Sequence, residues 1–295
     1  MDKFVGNLKI VSMLKNIISL KTIGHAYMFS GVDGIGKMIL AKEFAKAILC
    51  DNSQDWYCNN CESCKVFDNS PDFQIIEKED DLIKVDAIRQ LGENIMLKPT
   101  TSNRRVFIIN DAECMNESAQ NALLKILEEP PSYATIILIT SNKERIIRTI
   151  KSRCTIFEFA KLKDEELKSI FEEENISKEM LEFSNGSAGK YLKLKNSNYI
   201  DSLMVLEDAI PQSNLLEINR IFSDFKKIKT IKEDINDILD LMIVKLGNNL
   251  KENSSKKIEQ IELIEEVRNN IKRNANFEDS LDYLAIRLWE INSKK

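Results

Sequence analysis

The stretch that decides the fold is Ala26-Tyr27-Met28-Phe29-Ser30-Gly31-Val32-Asp33-Gly34-Ile35-Gly36-Lys37-Met38. Residues 26–29 form an apolar run that suits a buried strand, and residues 37–49 then repeat apolar side chains at helical spacing. A glycine-rich turn between strand and helix aims backbone N–H groups at a phosphate, and the helix dipole adds to the attraction. We therefore predict an α/β fold with a phosphate-binding loop, formed by Gly31, Gly34, Gly36 and Lys37. An ordinary strand-to-helix turn is the alternative.

The residue after Lys37 departs from the usual phosphate-loop pattern. That pattern has Ser or Thr there, because the hydroxyl is a ligand of the Mg²⁺ on the nucleotide. Met38 offers only a thioether, whereas Mg²⁺ prefers oxygen ligands. The loop is therefore typical of an ATPase scaffold that lacks one part needed for hydrolysis.

Four of the six cysteines come soon after this loop: Cys50, Cys58, Cys61 and Cys64. Their spacing, C-x7-C-x2-C-x2-C, lets one turn direct several sulfur atoms towards one centre. Four thiolates in a tetrahedron are the usual closed site of a structural zinc ion, so the sequence predicts zinc here. A disulfide cluster and an iron–sulfur cluster are the alternatives. Cys114 and Cys154 stand apart and are expected to be buried apolar residues.

Composition and charge exclude several classes of protein. The net charge of −5 argues against a surface that attracts nucleic acid as a whole, so contact with DNA would need a local patch or a partner. There is no run of about 18 apolar residues, so we expect no membrane span. The first residues contain no signal-peptide core, which predicts a cytoplasmic protein.

The remaining apolar pattern alternates strands and helices up to about residue 160. Strands are predicted over residues 73–76, 106–109, 135–140 and 155–159, and helices over 85–96, 117–129 and 146–152. Continuous apolar strands that alternate with helices indicate a parallel sheet covered on both faces. Beyond residue 160 the pattern is helical, with helices over 162–174, 178–184 and 233–250, a hinge-like turn at 186–189 and a charged loop at 251–257.

The phosphate loop, the four cysteines and two further strings resemble the clamp-loader subunits of bacterial DNA polymerase III, which belong to the AAA+ family. The strings are Ser118-Ala119-Gln120-Asn121-Ala122-Leu123-Leu124-Lys125 and Ser152-Arg153-Cys154. The resemblance is close up to about residue 190 and holds only in outline beyond it. It implies a RecA-like AAA+ domain over residues 1–160 with a zinc module at 50–64, a helical lid over 161–198, and an all-α collar domain over 199–295.

Within this resemblance, the chain departs from the active subunits at several positions. In those subunits Asp-Glu follows the strand that ends here at Ile109, and this chain has Asn110 and Asp111 instead. The family's lid arginine, in a Gly-Ser-x-Arg string, is replaced by Gly189. With Met38, four features on which phosphoryl transfer depends are changed. The resemblance therefore implies a subunit without intrinsic ATPase activity, while the retained Lys37 leaves ATP binding open.

The resemblance also implies a role for Arg153. The arginine of the Ser-Arg-Cys triplet projects into the ATP site of the neighbouring subunit, as an arginine finger that acts in trans. A surface arginine in the basic stretch 143–151 is the simpler alternative. Glu128 and Glu129 resemble a retained carboxylate pair, for which a helix-end charge is the simpler interpretation.

The implied partners are the gamma/tau ATPase and delta subunits in a five-subunit ring. Through that complex, the partners would include the sliding clamp and primer–template DNA. Two other interpretations stay open at this point. One is an active ATPase motor subunit of the gamma/tau type, and the other is a free-standing zinc-dependent nucleic-acid-binding protein, which the acidic composition disfavours.

Overall fold

The chain divides into two compact units. The computed structural model describes residues 4–172, 176, 178–196, 206, 209, 214–227, 231–248, 254–272 and 275–293. The first unit comprises residues 1–174 and 186–189, and the second comprises residues 175–185 and 190–295. The boundaries expected at residues 160 and 198 stay a prediction, and most of the stretch 197–213 lies outside the described residues.

The first unit is built on five parallel strands in the order β2-β3-β4-β1-β5. The strands are β1 Ala26–Ser30, β2 Phe73–Ile76, β3 Arg105–Ile109, β4 Ala134–Thr140 and β5 Thr155–Glu158. Every residue of β1, β3 and β4 is buried, as their continuous apolar runs require. The predicted parallel sheet is confirmed.

Helices cover both faces of this sheet. They are α1 Leu8–Ser19, α2 Lys37–Leu49, α3 Glu62–Lys65, α4 Val85–Ile95, α5 Glu117–Glu128, α6 Arg148–Lys151 and α7 Asp164–Phe171. One apolar core joins strand residues such as Phe29 to Phe44 of α2, and the other joins Phe107 of β3 to Leu123 of α5. Successive strand residues point to opposite faces, so one apolar strand supplies both cores.

The second unit consists of helices around a core of its own. Its elements are α8 Lys178–Ser184, the main part of α9 Ala188–Asn196, α10 Leu215–Lys226, α11 Ile231–Asn248, α12 Ser254–Lys272 and α13 Phe277–Ser293. Phe222, Phe225, Leu239, Ile264 and Leu284 are among its buried side chains. In the part of the chain that the structure describes, no helix is long and apolar enough to cross a membrane.

Several helix bounds differ from the sequence prediction by one to three residues, and three further local features also differ. Helix α1 was not predicted, although it buries Leu14 and Ile18. The turn expected over 186–189 is shorter, because Ala188 and Gly189 already begin α9 and only Gly186 needs a positive φ, of 75°. Residues 254–257 of the expected charged loop form the first turn of α12, since serine and lysine are compatible with a helical turn as well as with a loop.

Candidate functional site

The predicted phosphate loop joins the carboxyl end of β1 to the amino end of α2. Gly31, Gly34 and Gly36 all have positive φ values, of 158°, 75° and 94°. The values at Gly34 and Gly36 lie where a residue with a side chain is strained. Gly36 is the residue that precedes α2, so the loop meets the positive end of the helix dipole, as predicted.

The Lys37 side chain is folded back onto its own loop. Its Nζ atom donates hydrogen bonds to the carbonyl oxygens of Gly31, at 2.6 Å, and Val32, at 2.8 Å. It also lies 3.7 Å from an oxygen of Asp33, and only 5% of the residue is exposed. Burial lowers the pKa of Lys37, and the negative charges of Asp33 and Glu113 oppose this shift. The ammonium group is therefore already engaged by loop carbonyls and nearby carboxylates.

Residues 186–189 pack directly against the phosphate loop. The Ser187 hydroxyl donates to the Asp33 carbonyl at 2.7 Å, and the Gly189 N–H donates to the Gly34 carbonyl at 2.9 Å. A Cβ atom on Gly189 would lie 2.7 Å from the Gly34 Cα atom, closer than real Cβ contacts occur. The two backbones are in contact at this point, so a side chain at position 189 requires the loop to move.

The positions that follow β3 carry no free carboxylate. Asn110 ends the strand region, and its N–H donates to the Ile76 carbonyl at 2.9 Å. An oxygen of Asp111 lies 3.7 Å from Nζ of Lys78, which follows β2. Burial raises the pKa of Asp111, and the charge of Lys78 acts in the opposite direction. Met38 is half-buried and packs against the apolar core instead of presenting an oxygen ligand.

Glu113 is a residue of this region that the sequence did not point to. It is 7% exposed, and its Oε1 accepts hydrogen bonds from the backbone N–H of Ser141, at 2.9 Å, and from the Ser141 hydroxyl. Burial acts to raise the pKa of Glu113, but these hydrogen bonds outweigh it and lower the pKa below its ordinary value. No short sequence motif includes a glutamate two residues after Asp111, so the sequence did not predict a role for Glu113.

The four predicted metal-binding cysteines lie together. The Sγ atoms of Cys50, Cys58, Cys61 and Cys64 all lie within 4.8 Å of one another, and these cysteines form no disulfide. The sulfur atoms of Cys50 and Cys61 are 3.8 Å apart. A tetrahedral zinc site with Zn–S bonds of about 2.3 Å has S–S edges of about 3.8 Å. The donor set and its spacing therefore fit a four-thiolate zinc ion.

Backbone N–H groups support this cluster. The N–H of Cys58 donates to the sulfur of Cys50 at 3.3 Å, and the N–H of Cys61 donates to the sulfur of Cys58 at 3.3 Å. Backbone hydrogen bonds lower the pKa of the Cys58 thiol to about 6, whereas burial raises that of Cys50 to about 12. A metal that replaced these protons would stabilise the thiolates together.

The cluster is tied to α2 and to the loop before β3. The ring of Trp56 stacks on Phe44 at 6.2 Å, and the Tyr57 hydroxyl donates to Glu43 at 2.6 Å. The Ser63 hydroxyl donates to Asp51 at 3.0 Å and to the carbonyl oxygen of Thr101, in the loop before β3, at 3.2 Å. The cluster follows the carboxyl end of α2 and the phosphate loop precedes its amino end, so the two sites are about 20 Å apart along the helix. Cys114 and Cys154, expected to be buried, are half-buried beside the apolar core.

Arg153 lies between α6 and β5 on the surface of the first unit. Its guanidinium donates to the carbonyl oxygen of Thr149 at 3.0 Å and to Oε1 of Glu128 at 3.0 Å. Its side chain is 35% exposed. The residue is therefore accessible from outside the unit, and two acceptors fix its orientation.

Comparisons with known proteins identify the family of this chain. Residues 6–163 match the family model described as DNA polymerase III, delta subunit. The chain is 26% identical to the DNA polymerase III subunit delta' of Bacillus subtilis, over 96% of both chains. It is 33% identical to subunit tau of the same organism over 71% of this chain.

The tau and gamma relatives are longer proteins. The chain spans 37% of the Bacillus subtilis tau subunit and 32% to 58% of the tau and gamma subunits of Haemophilus influenzae, Buchnera aphidicola and Mycoplasma genitalium. Among solved structures, a DNA polymerase III gamma subunit-related protein from Thermotoga maritima is similar with a TM-score of 0.55 and 20% identity, covering 95% of this chain and 98% of that one. This structural likeness supports the α/β fold.

Proposed function

The chain belongs to the family described as DNA polymerase III, delta subunit, and on that premise we propose that it is a clamp-loader subunit of the delta-prime type. It does not hydrolyse ATP, and it supplies Arg153 to the ATP site of a neighbouring subunit during sliding-clamp loading in DNA replication. The choice of an inactive subunit rests on one observation, the backbone contact between Gly189 and Gly34, where a lid side chain has no space.

Three further features agree with a subunit that does not hydrolyse ATP. Met38 supplies no oxygen to a magnesium ion, and Asn110 has no charge to hold one. Asp111 is engaged by Lys78 and is therefore a poor candidate to polarise an attacking water molecule. These features leave ATP binding open, but Lys37 would have to leave two carbonyl oxygens to reach a phosphate.

The accessibility of Arg153 supports an action in trans. An arginine finger stabilises the negative charge that develops on the transferring phosphoryl group, and it acts well from a neighbouring subunit. Its planar guanidinium can donate several parallel hydrogen bonds to phosphate oxygens. The chain's own phosphate loop lacks the magnesium ligands for hydrolysis, so we assign Arg153 to the ATP site of a neighbouring subunit.

Cys50, Cys58, Cys61 and Cys64 would hold a structural zinc ion. Four thiolates leave no open coordination position, so the ion would contribute to folding and not to a reaction. It would fix the segment between α2 and β2, whose aromatic residues pack on α2. The expected partners are the gamma/tau ATPase and delta subunits in a five-subunit ring, and through them the sliding clamp and primer–template DNA, in the cytoplasm.

A second candidate is an active motor subunit of the gamma/tau type. The observation that favours it is sequence identity, which is higher to several tau and gamma subunits than to the delta' relative. An ATPase assay on the isolated chain separates the two candidates. The motor subunit would release phosphate, and Lys37→Ala would abolish that release; the delta-prime type would release none above buffer.

The test of the finger uses the reconstituted loader with its partner subunits. Arg153→Ala should lower the DNA-stimulated ATPase, because one site loses a group that contributes about 10³–10⁵ in rate. Arg153→Lys should restore little, since an ammonium cannot reproduce the planar fork. Arg148→Ala, in the same basic stretch and exposed, is the matched control. Unchanged activity with Arg153→Ala, or equal losses in both alanine variants, would refute the finger.

A further inference from the structure

We propose that Glu128 is a positioning residue for Arg153, and that it sets the orientation in which the guanidinium meets the phosphate of a neighbouring subunit. This inference rests on the proposed function of Arg153 in trans. It gives a role to a carboxylate that the sequence marked but that the phosphate site does not use. The role follows from the contact geometry, the helix position and the exposure of the two side chains.

The contact geometry holds the guanidinium at two points. One terminal nitrogen, Nη1, donates to the Thr149 carbonyl, and the other, Nη2, donates to Glu128, each at 3.0 Å. Thr149 belongs to α6, whereas Glu128 is the last residue of α5. Two acceptors on separate elements fix the guanidinium plane, which a single hydrogen bond would leave free to rotate.

The position of Glu128 in its helix is unfavourable for a carboxylate. The carboxyl end of a helix carries partial negative charge, so a negative side chain there is repelled and a cation is favoured. Pro130 and Pro131 follow Glu129 and prevent the helix from continuing. The simpler interpretation of Glu128 was a charge that stabilises the helix end, but a negative charge destabilises the carboxyl end of a helix. The Arg153 cation compensates it, so the two residues are electrostatically coupled.

The exposure of the pair argues against a role in stability. The side chains of Arg153 and Glu128 are 35% and 53% exposed. Ion pairs at such exposure contribute little to folding stability, because water screens them and two long side chains lose freedom. The pair therefore acts mainly on orientation, which matters at a site where a small misplacement lowers the rate strongly.

The pair leaves donors for a phosphate. An arginine has five N–H donors. The contacts to Thr149 and Glu128 use one donor on each terminal nitrogen and leave the second donor of each nitrogen. The guanidinium can therefore contact phosphate oxygens without leaving Glu128. Glu128 therefore acts as a positioning residue, since its hydrogen bond to Arg153 need not break before the guanidinium contacts a phosphate.

The experiment compares Glu128→Ala, Glu128→Gln and Glu129→Ala in the reconstituted loader, with Arg153→Ala and the double variant. Glu129 is the matched control, since it is adjacent, exposed and without an ion pair to any described residue. We expect Glu128→Ala to lower kcat of the DNA-stimulated ATPase by about 3- to 10-fold with little change in KM, a fraction of the whole finger's effect. Glu128→Gln should restore most of the activity, because its amide oxygen accepts the same hydrogen bond.

The outcomes separate this proposal from the one on which it rests. In the Arg153→Ala background, Glu128→Ala should cause no further loss, while the thermal unfolding of the isolated chain and subunit assembly stay unchanged. A loss with Arg153→Ala but none with Glu128→Ala would overturn the positioning role alone. A gain with Glu128→Ala would identify a restraint and also overturn it, as would an equal loss with Glu129→Ala. No loss with Arg153→Ala would overturn both proposals.

Discussion

Substitution of Gly189 tests whether its backbone is in close contact with the phosphate loop. The Cβ atom of Gly189→Ala would lie 2.7 Å from the Gly34 Cα atom, a backbone atom that cannot swing away. Overpacking of this kind costs about 1–3 kcal/mol. The loss of the Gly189 N–H to Gly34 carbonyl hydrogen bond would add about 0.5–1.5 kcal/mol. We expect a total destabilisation of about 1.5–4.5 kcal/mol.

The measurement combines thermal unfolding with hydrogen exchange. For a domain of this size, 1 kcal/mol corresponds to a shift of about 2–4 °C, so Gly189→Ala should lower the unfolding temperature of the first unit by roughly 3–18 °C. Amide exchange in residues 31–37 should accelerate, because the loop must move away. Gly189→Arg restores the family's lid arginine, yet it should add no ATPase activity, since the ligands missing at Met38 and Asn110 remain missing.

Gly247 provides the control for a substitution of glycine by alanine. It lies in α11, and a Cβ atom there would meet nothing within 4 Å. Gly247→Ala should leave stability unchanged or raise it by about 0.5–1 kcal/mol, because alanine favours the helix. Wild-type stability and exchange in Gly189→Ala would refute the close-contact argument. ATP hydrolysis gained by Gly189→Arg would show that the lid arginine was the missing part.

Three further predictions concern the same unit. Cys61→Ser should remove most of the approximately one equivalent of zinc expected by metal analysis and lower the unfolding temperature, whereas a metal-free wild type would contradict the site. The pKa of Glu113 is lowered in the folded state, so the ionised carboxylate stabilises the fold above the unfolded pKa of about 4.3, and this stability is lost as the pH falls through the folded pKa. Glu113→Gln should therefore make the unfolding free energy fall less steeply on acidification, and an unchanged slope would contradict this. Asn116→Ala should cost about 1 kcal/mol in denaturant unfolding, because the side chain caps α5 by accepting the Ala119 N–H at 2.8 Å, and no loss would rule out the cap.

The elements of the first unit were largely predictable from local pattern. Strand β2 and helix α2 have the predicted bounds, as does α8 of the second unit, and the other strands differ by one residue at an end. Apolar runs and helical spacing act over a few residues, so they are visible in the sequence. Helix α1 was missed, although its apolar residues are spaced for a buried face. Residues 254–257 were read as a loop, since charge and polarity alone do not separate a loop from an exposed helical turn.

Local spacing also determined the chemistry of two sites. The glycines before Lys37 predicted the loop, and the cysteine spacing predicted a cluster whose sulfur atoms do lie together. In both cases the functional groups are near one another in the sequence, so a short turn is sufficient to assemble them. The assignment of Met38, Asn110 and Gly189 as departures needed only the identity of each residue within a motif.

Contacts between distant segments were decided by the tertiary structure alone. Three contacts depend on how separate elements pack together. They are the packing of Gly189 on Gly34, the ion pair of Lys78 with Asp111, and the hydrogen bonds of Arg153 to Glu128 and Thr149. The physical reason is that a parallel sheet brings together segments that are distant in the chain: the carboxyl ends of β2 and β3 bring Lys78 to Asp111, and the segments that lead into β4 and β5 bring Glu128 to Arg153. Sequence determined which chemical groups this protein carries, and the packing of the sheet and its helices decided which of those groups engage one another.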